Sequence, residues 1–214
     1  MKKVPLVVLG LVAVSVVANV SFSEDKTHDE AQGHIHVDHA TTGETAITSA
    51  IEGSPDALEL KPLILGAAVM RGTTADSTVA GTVSFLETEE GLKIDVIVSG
   101  IPTPGKHGIH IHENGSCEDS GNAAGGHYNP DGVQHGFVLE TGAGTVHPGD
   151  LGNITIDESG NGTLSVVVPG LGLKNGHHLI DGKSIILHER QDDGSQPTGN
   201  AGGRIGCGLI NVVE

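Results

Sequence analysis

The chain has 214 residues and a formal net charge of -16, from 11 basic and 27 acidic side chains, which argues against a nucleic-acid partner because such binding needs a clustered basic surface. Aromatic residues make up only 2% of the sequence, so a core must be built from aliphatic side chains. The 33 Gly indicate short strands with tight turns or long shaped loops, and the 13 His favour metal binding, for which imidazole is the commonest side chain.

The first 23 residues have the pattern of a signal peptide. Lys2 and Lys3 precede an apolar run from Val4 to Val20, and cleavage after either Ala18 or Ser23 fits the small residues found there. A membrane anchor is the alternative, but the run is somewhat short for a span of about 20 residues, and no second apolar span follows. We therefore expect an exported protein, periplasmic or extracellular, without a stable membrane anchor.

Residues 24–57 are polar, show little apolar periodicity and predict a flexible tail rich in His and acidic residues. Four of its His lie among acidic side chains: His28, His34, His36 and His39. Flexible tracts rich in His bind metals without a fold, so the tail is either a metal-capture arm or a solubilising linker.

Eight strand-like runs follow within residues 58–214, separated by turn sequences such as Glu90-Gly91 and Pro104-Gly105. The runs cover residues 61–70, 78–87, 92–99, 108–113, 153–157, 162–168, 184–189 and 205–212. No convincing helical stretch interrupts them, so this part is predicted to be one all-β domain, an antiparallel sandwich or barrel. Two connections, residues 114–152 and 190–204, are much longer than a hairpin requires, which indicates functional loops.

Residues that bind metals concentrate on one predicted strand and around these two loops. Residues i and i+2 of a strand share a face, so His110 and His112 lie side by side, although such a pair alone is a weak signal. Five further candidates follow along the chain: His127, His135, His147, Asp150 and His188. Six His and one carboxylate can supply two metal sites. Imidazole binds copper and zinc alike, and a set of three His and one Asp suits tetrahedral zinc.

These candidates fall within or between five ordered segments of the sequence. The segments are His107-Gly-Ile-His-Ile-His-Glu113, Gly126-His-Tyr-Asn-Pro130, His147-Pro-Gly-Asp-Leu-Gly-Asn153, Leu187-His-Glu189 and Gly199-Asn-Ala-Gly-Gly-Arg-Ile-Gly-Cys-Gly208. Together they resemble the copper/zinc superoxide dismutases, over roughly residues 60–214. The resemblance implies an eight-stranded, sandwich-like Greek-key barrel that disproportionates superoxide into dioxygen and hydrogen peroxide.

The resemblance also implies the ligands of the two metals. The implied copper ligands are His110, His112, His127 and His188. The implied zinc ligands are His127, His135, His147 and Asp150. His127 would then be an imidazolate bridge between the ions and a proton donor to bound peroxide, while zinc would be structural because its d¹⁰ shell has no redox role.

Five more residues acquire a role from the same resemblance. Asp192 matches a carboxylate that accepts a hydrogen bond from one His ligand of each metal and so fixes its tautomer. Arg204 matches a cation of the copper channel, and Thr198 matches the opposite channel wall. The loop before Arg204 contains no Lys, so we expect steering of the anion to fall on Arg204 and the copper. Cys117 and Cys207 match an intramolecular disulfide, which suits an oxidising compartment.

Two other classes of protein remain as alternatives. An exported copper- and zinc-binding or buffering protein would hold the metals without catalysis, and a structural or chaperone-like protein would use the barrel for contacts. Intact metal ligands together with Arg204 disfavour the second. The resemblance allows a homodimer, since the family is often dimeric, but Asn211 stands where the contact strand usually has Gly.

Overall fold

The computed structural model of the protein describes residues 63–142 and 144–213. The predicted signal peptide (residues 1–23), the predicted tail (residues 24–57) and the first residues of the predicted domain lie outside the described residues. In the part of the chain that is described, no helix has the length and apolar character needed to cross a bilayer.

Eleven strands and two short helical segments form the regular structure of the described residues. The strands are β1 (Leu65–Gly72), β2 (Ala80–Glu87), β3 (Leu92–Ser99), β4 (Gly105–His112), β5 (Asp150–Ile156), β6 (Gly162–Val168), β7 (Leu171–Gly172), β8 (His178–Leu179), β9 (Ser184–His188), β10 (Arg204–Leu209) and β11 (Asn211–Val213). The helical segments are a kinked 3₁₀ segment (Asp119–Ala124) and α1 (Val138–Thr141), both within the long connection between β4 and β5.

The eight long strands close into an antiparallel barrel. Around it the order is β1, β2, β3, β6, β5, β4, β9 and β10, and β10 pairs with β1 to complete the ring. The connections from β3 to β4 and from β6 to β9 pass over neighbouring strands, which is the Greek-key arrangement. The predicted all-β barrel is therefore confirmed. Strand β11 extends the sheet beside β1, and β7 and β8 form a separate parallel pair.

Several element boundaries differ from the sequence-based prediction. Strand β4 begins at Gly105 rather than at residue 108, and β5 begins at Asp150 rather than at residue 153. The two-residue strands and the two helical segments were not predicted, because elements of one turn or one residue pair carry no measurable periodicity.

The barrel interior is almost entirely aliphatic, and Phe85 is the one aromatic side chain of the described core cluster. Strand β3 shows why these residues form a strand: Leu92, Ile94, Val96 and Val98 are buried, while the residues between them face outwards. Fully burying each such side chain contributes about 1.5–3 kcal/mol. The barrel wall is therefore a rigid support for whatever lies on its outer face.

Strands β4 and β9 differ from the others because both of their faces are buried. Ile109 and Ile111 of β4 point into the core, so His110 and His112 point outwards beneath the two long loops. On β9, Ile185 and Leu187 belong to the core, and His188 lies on the outward face. The candidate site thus lies between the barrel wall and its loops.

A disulfide ties the first of these loops to the barrel. Cys117, near the start of the loop, is bonded to Cys207 on β10 across 90 residues of sequence, as predicted. Cys207 packs in a small cluster with Ala124 and Ile186, on the outward side of β9. The bond therefore anchors the loop next to the residues that carry the candidate site.

We expect the double variant Cys117→Ala, Cys207→Ala to unfold in urea with a free energy of unfolding about 2–5 kcal/mol lower than that of the wild type. The bond closes a long loop and so restricts the unfolded chain. Reducing the wild type should produce the same loss, and reducing the variant should produce none. A variant as stable as the wild type would contradict a stabilising role for the bond.

Candidate metal centre

A β-bulge between β4 and β5 sets the position of Asp150. In the β4–β5 pair, Gly108 lies opposite Asn153 and His110 lies opposite Asp150, so two steps along β4 match three steps along β5. The extra residue is accommodated at Gly152, whose φ of 91° is a conformation that costs little only for Gly. The bulge extends β5 to Asp150 and directs that side chain towards the histidines.

Four buried imidazoles form the first cluster, which we call the four-histidine group: His110, His112, His127 and His188. Their donor atoms lie within 4.8 Å of one another. Strand β4 supplies two of them and the end of β9 supplies a third. The long loop supplies His127, which is held next to His112 by an isolated β-bridge.

Hydrogen bonds to backbone carbonyls fix which nitrogens of this group carry lone pairs. Nδ1 of His112 lies 3.0 Å from the carbonyl oxygen of Gly125, and Nδ1 of His188 lies 3.2 Å from that of Gly202. A carbonyl only accepts, so each Nδ1 carries the hydrogen and each Nε2 keeps a lone pair. These two Nε2 atoms face each other at 3.3 Å. Facing lone pairs repel, whereas a metal ion bound by both atoms makes the arrangement favourable.

Three imidazoles and one carboxylate form the second cluster, which we call the His–Asp group: His127, His135, His147 and Asp150. The nearest carboxylate oxygen of Asp150 lies 2.7 Å from Nδ1 of His127, 2.7 Å from Nδ1 of His135 and 3.1 Å from Nδ1 of His147. Despite its short distance, Nδ1 of His135 is not directed at the carboxylate as a hydrogen bond. Three imidazoles and one carboxylate whose donor atoms converge fit a tetrahedral zinc site.

Asp192 joins the two groups through a fully buried carboxylate. Its Oδ2 accepts from Nε2 of His110 at 2.8 Å, and its Oδ1 accepts from Nε2 of His135 at 3.0 Å. Each Nε2 therefore carries a hydrogen, which leaves Nδ1 as the nitrogen that can bind a metal, and Nδ1 of His110 is buried without any hydrogen-bond partner. Gly199, with φ 72°, passes so close that a Cβ there would collide with this carboxylate.

Burial keeps three imidazoles of the four-histidine group neutral: His112, His127 and His188. Desolvation, reinforced by positive charge on neighbouring His, lowers the pKa of His112 to about 2 and the pKa of His188 to about 3. Desolvation also lowers the pKa of His127 to about 4, although the contact with Asp150 opposes that shift. The rings consequently present the unprotonated nitrogens that metal binding requires.

The His–Asp group has the opposite electrostatic balance. Burial disfavours a charged ring at His135, but its contacts with the carboxylates of Asp150 and Asp192 outweigh burial and raise the pKa of His135 to about 9. Burial also acts against ionised carboxylates, yet hydrogen bonds from the His residues hold the pKa of both Asp side chains well below the usual range. The two ionised carboxylates compensate the charge of a divalent ion.

A cavity of about 310 Å³ opens beside the four-histidine group, and His112, His127 and His188 line it. Arg204 lies in its wall and donates to the carbonyl oxygens of Gly121 at 2.5 Å and Gly125 at 2.6 Å. The 3₁₀ segment and the turn after it thus hold the guanidinium in place. Thr198, which is exposed, lines the same cavity.

The model of the copper/zinc superoxide dismutase family matches residues 79–210, which include every residue of both groups, Asp192 and Arg204. The chain belongs to the copper/zinc superoxide dismutase family. As a member it is an oxidoreductase with copper and zinc as cofactors and superoxide as substrate.

Individual relatives agree with this assignment. The extracellular copper/zinc superoxide dismutase of Caenorhabditis elegans is 37% identical over 176 residues, which cover 79% of this chain and 76% of the relative. The copper/zinc superoxide dismutase of Paramecium bursaria Chlorella virus 1 is 38% identical over 146 residues, covering 65% of this chain and 76% of the relative. Among solved structures, that of the clock protein EA4 superposes with a TM-score of 0.61 at 32% identity, covering 70% of this chain and 94% of EA4.

The structure brings together all seven predicted ligand residues and places Asp192, Thr198 and Arg204 around them. It also adds Arg190, which lines the same cavity, so Arg204 is not the only basic side chain there. A further addition is His107, whose ring nitrogens lie 2.9 Å from the carbonyl oxygens of His188 and Thr103. This buried ring fixes the backbone of His188. One feature of the sequence indicates that His107 is important, because it is the first residue of the first family segment.

We expect Asp192→Ala to weaken the binding of both copper and zinc by about 10–100-fold, because the rings of His110 and His135 lose the carboxylate that fixes their tautomer. Competition with chelators, read by metal analysis, measures both affinities. Asp193→Ala is the matched control, since this neighbouring carboxylate is exposed. A loss confined to one metal, or equal losses in the two variants, would contradict the joining role of Asp192.

Proposed function

We propose that this chain dismutates superoxide at a copper ion held by the four-histidine group, next to a zinc ion held by the His–Asp group. The observation that carries the proposal is the pair of Nε2 lone pairs on His112 and His188, which face each other at 3.3 Å in the wall of a cavity that also contains Arg204. Copper, when bound, supplies one-electron redox chemistry, in which one superoxide is oxidised to dioxygen and a second is reduced, with two protons, to hydrogen peroxide.

His127 is the residue that belongs to both groups. Its Nδ1 lies 2.7 Å from Asp150 and faces the His–Asp group, so Nε2 is left for the four-histidine group. The ring also lines the cavity. We assign to Nε2 the holding and delivery of a proton towards the cavity, because no other imidazole is shared between the groups.

Arg204 supplies a positioned donor for an anion in the cavity. A guanidinium has five N–H donors, and the backbone carbonyls of Gly121, Asn122 and Gly125 occupy only part of this set. The remaining donors are free to bind a small anion. Although the net charge of -16 repels superoxide, salt at physiological strength screens charges beyond about 8 Å, so the local field of the cavity dominates capture.

The His–Asp group is assigned a structural role. His127, His135 and His147 all come from the long loop, while Asp150 is the first residue of β5. Zinc bound by them would fasten the loop to the barrel and hold the shared ring of His127 in position. Such closed four-ligand sets are typical of structural zinc.

We expect Arg204→Ala to lower the second-order rate constant for superoxide by at least about tenfold and to flatten most of its dependence on ionic strength, because a local steering charge is lost. Pulse radiolysis over a range of salt concentrations measures both. Lys183→Ala removes the same charge outside the cavity, where the amine lies over the Tyr128 ring, and should change neither quantity. Equal effects of the two substitutions would show that net charge, and not Arg204, governs capture.

The same measurement separates an enzyme from a metal buffer. A protein that only stores copper and zinc should consume no superoxide beyond the activity of the copper that it releases. Metal-loaded chain that retains its full activity in the presence of a copper chelator supports the enzyme. Loss of all activity under that condition would favour the buffer.

We also propose that the chain is exported, with residues 1–23 removed as a signal peptide and residues 24–57 preceding the catalytic domain of residues 58–214. The basic start and apolar run of the N-terminus support this, as does the extracellular designation of the relative from C. elegans. The disulfide is stable in the oxidising compartments to which export leads, either the periplasm or the exterior.

A second copy of the chain is the proposed partner for an apolar groove between β1, β10 and β11. Val69, Leu209 and Val213 line it, with exposed fractions of 58%, 42% and 54%. Asn211 lines the same groove, so the residue that departs from the family pattern is located on this surface. Burying such side chains against an identical surface removes apolar area from water.

We expect the wild type to sediment as a dimer and Leu209→Asp to sediment as a monomer, because the introduced charge would be buried in the contact. Leu179→Asp is the matched control, since Leu179 is equally exposed, at 42%, but lies outside the groove. A monomeric wild type would exclude the proposed dimer.

A further inference from the structure

We propose that Asp131, His177 and His178 bind a third divalent metal ion of the zinc and copper class, outside the two groups described above. Asp131 lies in the long loop between His127 and His135, His178 is the first residue of β8, and His177 precedes it. One donor atom of each lies within 4.8 Å of those of the other two. The cluster shares no residue with the four-histidine group or the His–Asp group.

The buried ring of His178 is held against the carboxylate of Asp131. His178 is only 4% exposed, and its Nε2 lies 2.7 Å from Oδ2 of Asp131. Because Nε2 faces the carboxylate, an ion shared with Asp131 would bind this nitrogen. A buried imidazole and a carboxylate whose donor atoms converge with a second imidazole are residues of the type that bind zinc.

The backbone holds two of the three residues in fixed positions. The side chain of Asn129 closes the turn that carries Asp131, donating from Nδ2 to the carbonyl of Val133 and accepting from its N–H, both at 3.0 Å. On the other side, the N–H of His178 donates to the carbonyl of Gly170 at 3.0 Å and β8 pairs with β7. Metal sites depend on such support around the ligands.

The third residue completes the set from the surface. His177 is exposed, and its ring lies edge-on to the His178 ring with centroids 4.5 Å apart. An exposed side chain changes rotamer readily, so the imidazole can close on a shared ion. Two imidazoles and one carboxylate with an open side suit zinc or copper, whereas calcium and magnesium prefer oxygen ligands throughout.

A metal ion bound by this cluster would fasten the long loop between β4 and β5 at a second point, in addition to the His–Asp group. Asp131 lies four residues from both His127 and His135, so an ion here would tie that segment to β8. Glu87 in turn anchors the turn before β8, because its carboxylate accepts from the backbone N–H groups of Leu173, Lys174 and Asn175. The proposal concerns the loop alone and stands whether or not the cavity dismutates superoxide.

Equilibrium dialysis of the full chain, loaded beforehand with copper and zinc, against added Zn²⁺ tests the proposal. We expect the wild type to retain one zinc ion more than the double variant Asp131→Asn, His177→Ala. Asp76→Asn, which removes a carboxylate charge from another exposed residue, should keep the extra ion. Because only the difference between variants counts, zinc on the His of residues 24–57 does not affect the result. Equal zinc content in all three proteins would overturn the proposal and leave Asp131–His178 as a hydrogen-bonded pair.

The location of the ion is tested independently by anomalous diffraction at the zinc edge from crystals of the loaded protein exposed to Zn²⁺. A peak between the side chains of Asp131, His177 and His178 is expected. Zinc found only elsewhere would contradict the site. The substituted residues lie outside the cavity, so unchanged dismutase activity of the double variant would show that it remains folded.

Discussion

The buried carboxylate of Asp192 is the interaction on which the rest of the site depends. An ionised group without exposure is costly unless it is paired and hydrogen-bonded, and Asp192 meets this condition through His110, His135 and the N–H of Gly194. The same contacts determine which nitrogen of each ring carries the hydrogen. Asn153 holds the backbone of Asp192 through two hydrogen bonds, at 2.8 and 2.9 Å, so the second loop is fixed to β5 as well. One residue thereby connects both loops, both His groups and the barrel.

The barrel and the site are energetically linked because two strands serve both. Each of β4 and β9 packs aliphatic side chains into the core and presents imidazoles on its other face. A change of register by one residue would exchange these faces, removing the histidines from the site and the aliphatic residues from the core. Core packing therefore sets the positions of His110, His112 and His188, and the loops supply the remaining ligands.

The four-histidine group and the His–Asp group differ in their electrostatic surroundings. The three rings that line the cavity, those of His112, His127 and His188, are neutral through burial. The wall of the same cavity contains the positive charges of Arg190 and Arg204. The His–Asp group concentrates negative charge, which in the absence of an ion keeps His135 protonated at neutral pH, since its pKa is raised to about 9. Zinc must displace that proton, so zinc binding strengthens as the pH rises towards 9. His127 lies where the two environments meet.

The sequence alone was sufficient for the eight long strands, because alternation of apolar residues and turn sequences between them are local signals. It also predicted that His110 and His112 share a face, and the five family segments identified the remaining ligand candidates. Other features depend on residues that only the closed barrel brings together. Because of the bulge at Gly152, β5 begins at Asp150. Arg190 lies in the cavity wall, and Asp131 contacts His178, which is 47 residues away in the sequence. Contacts between loops, and the hydrogen bonds that select each tautomer, have no periodicity along the chain, so tertiary structure alone decided them.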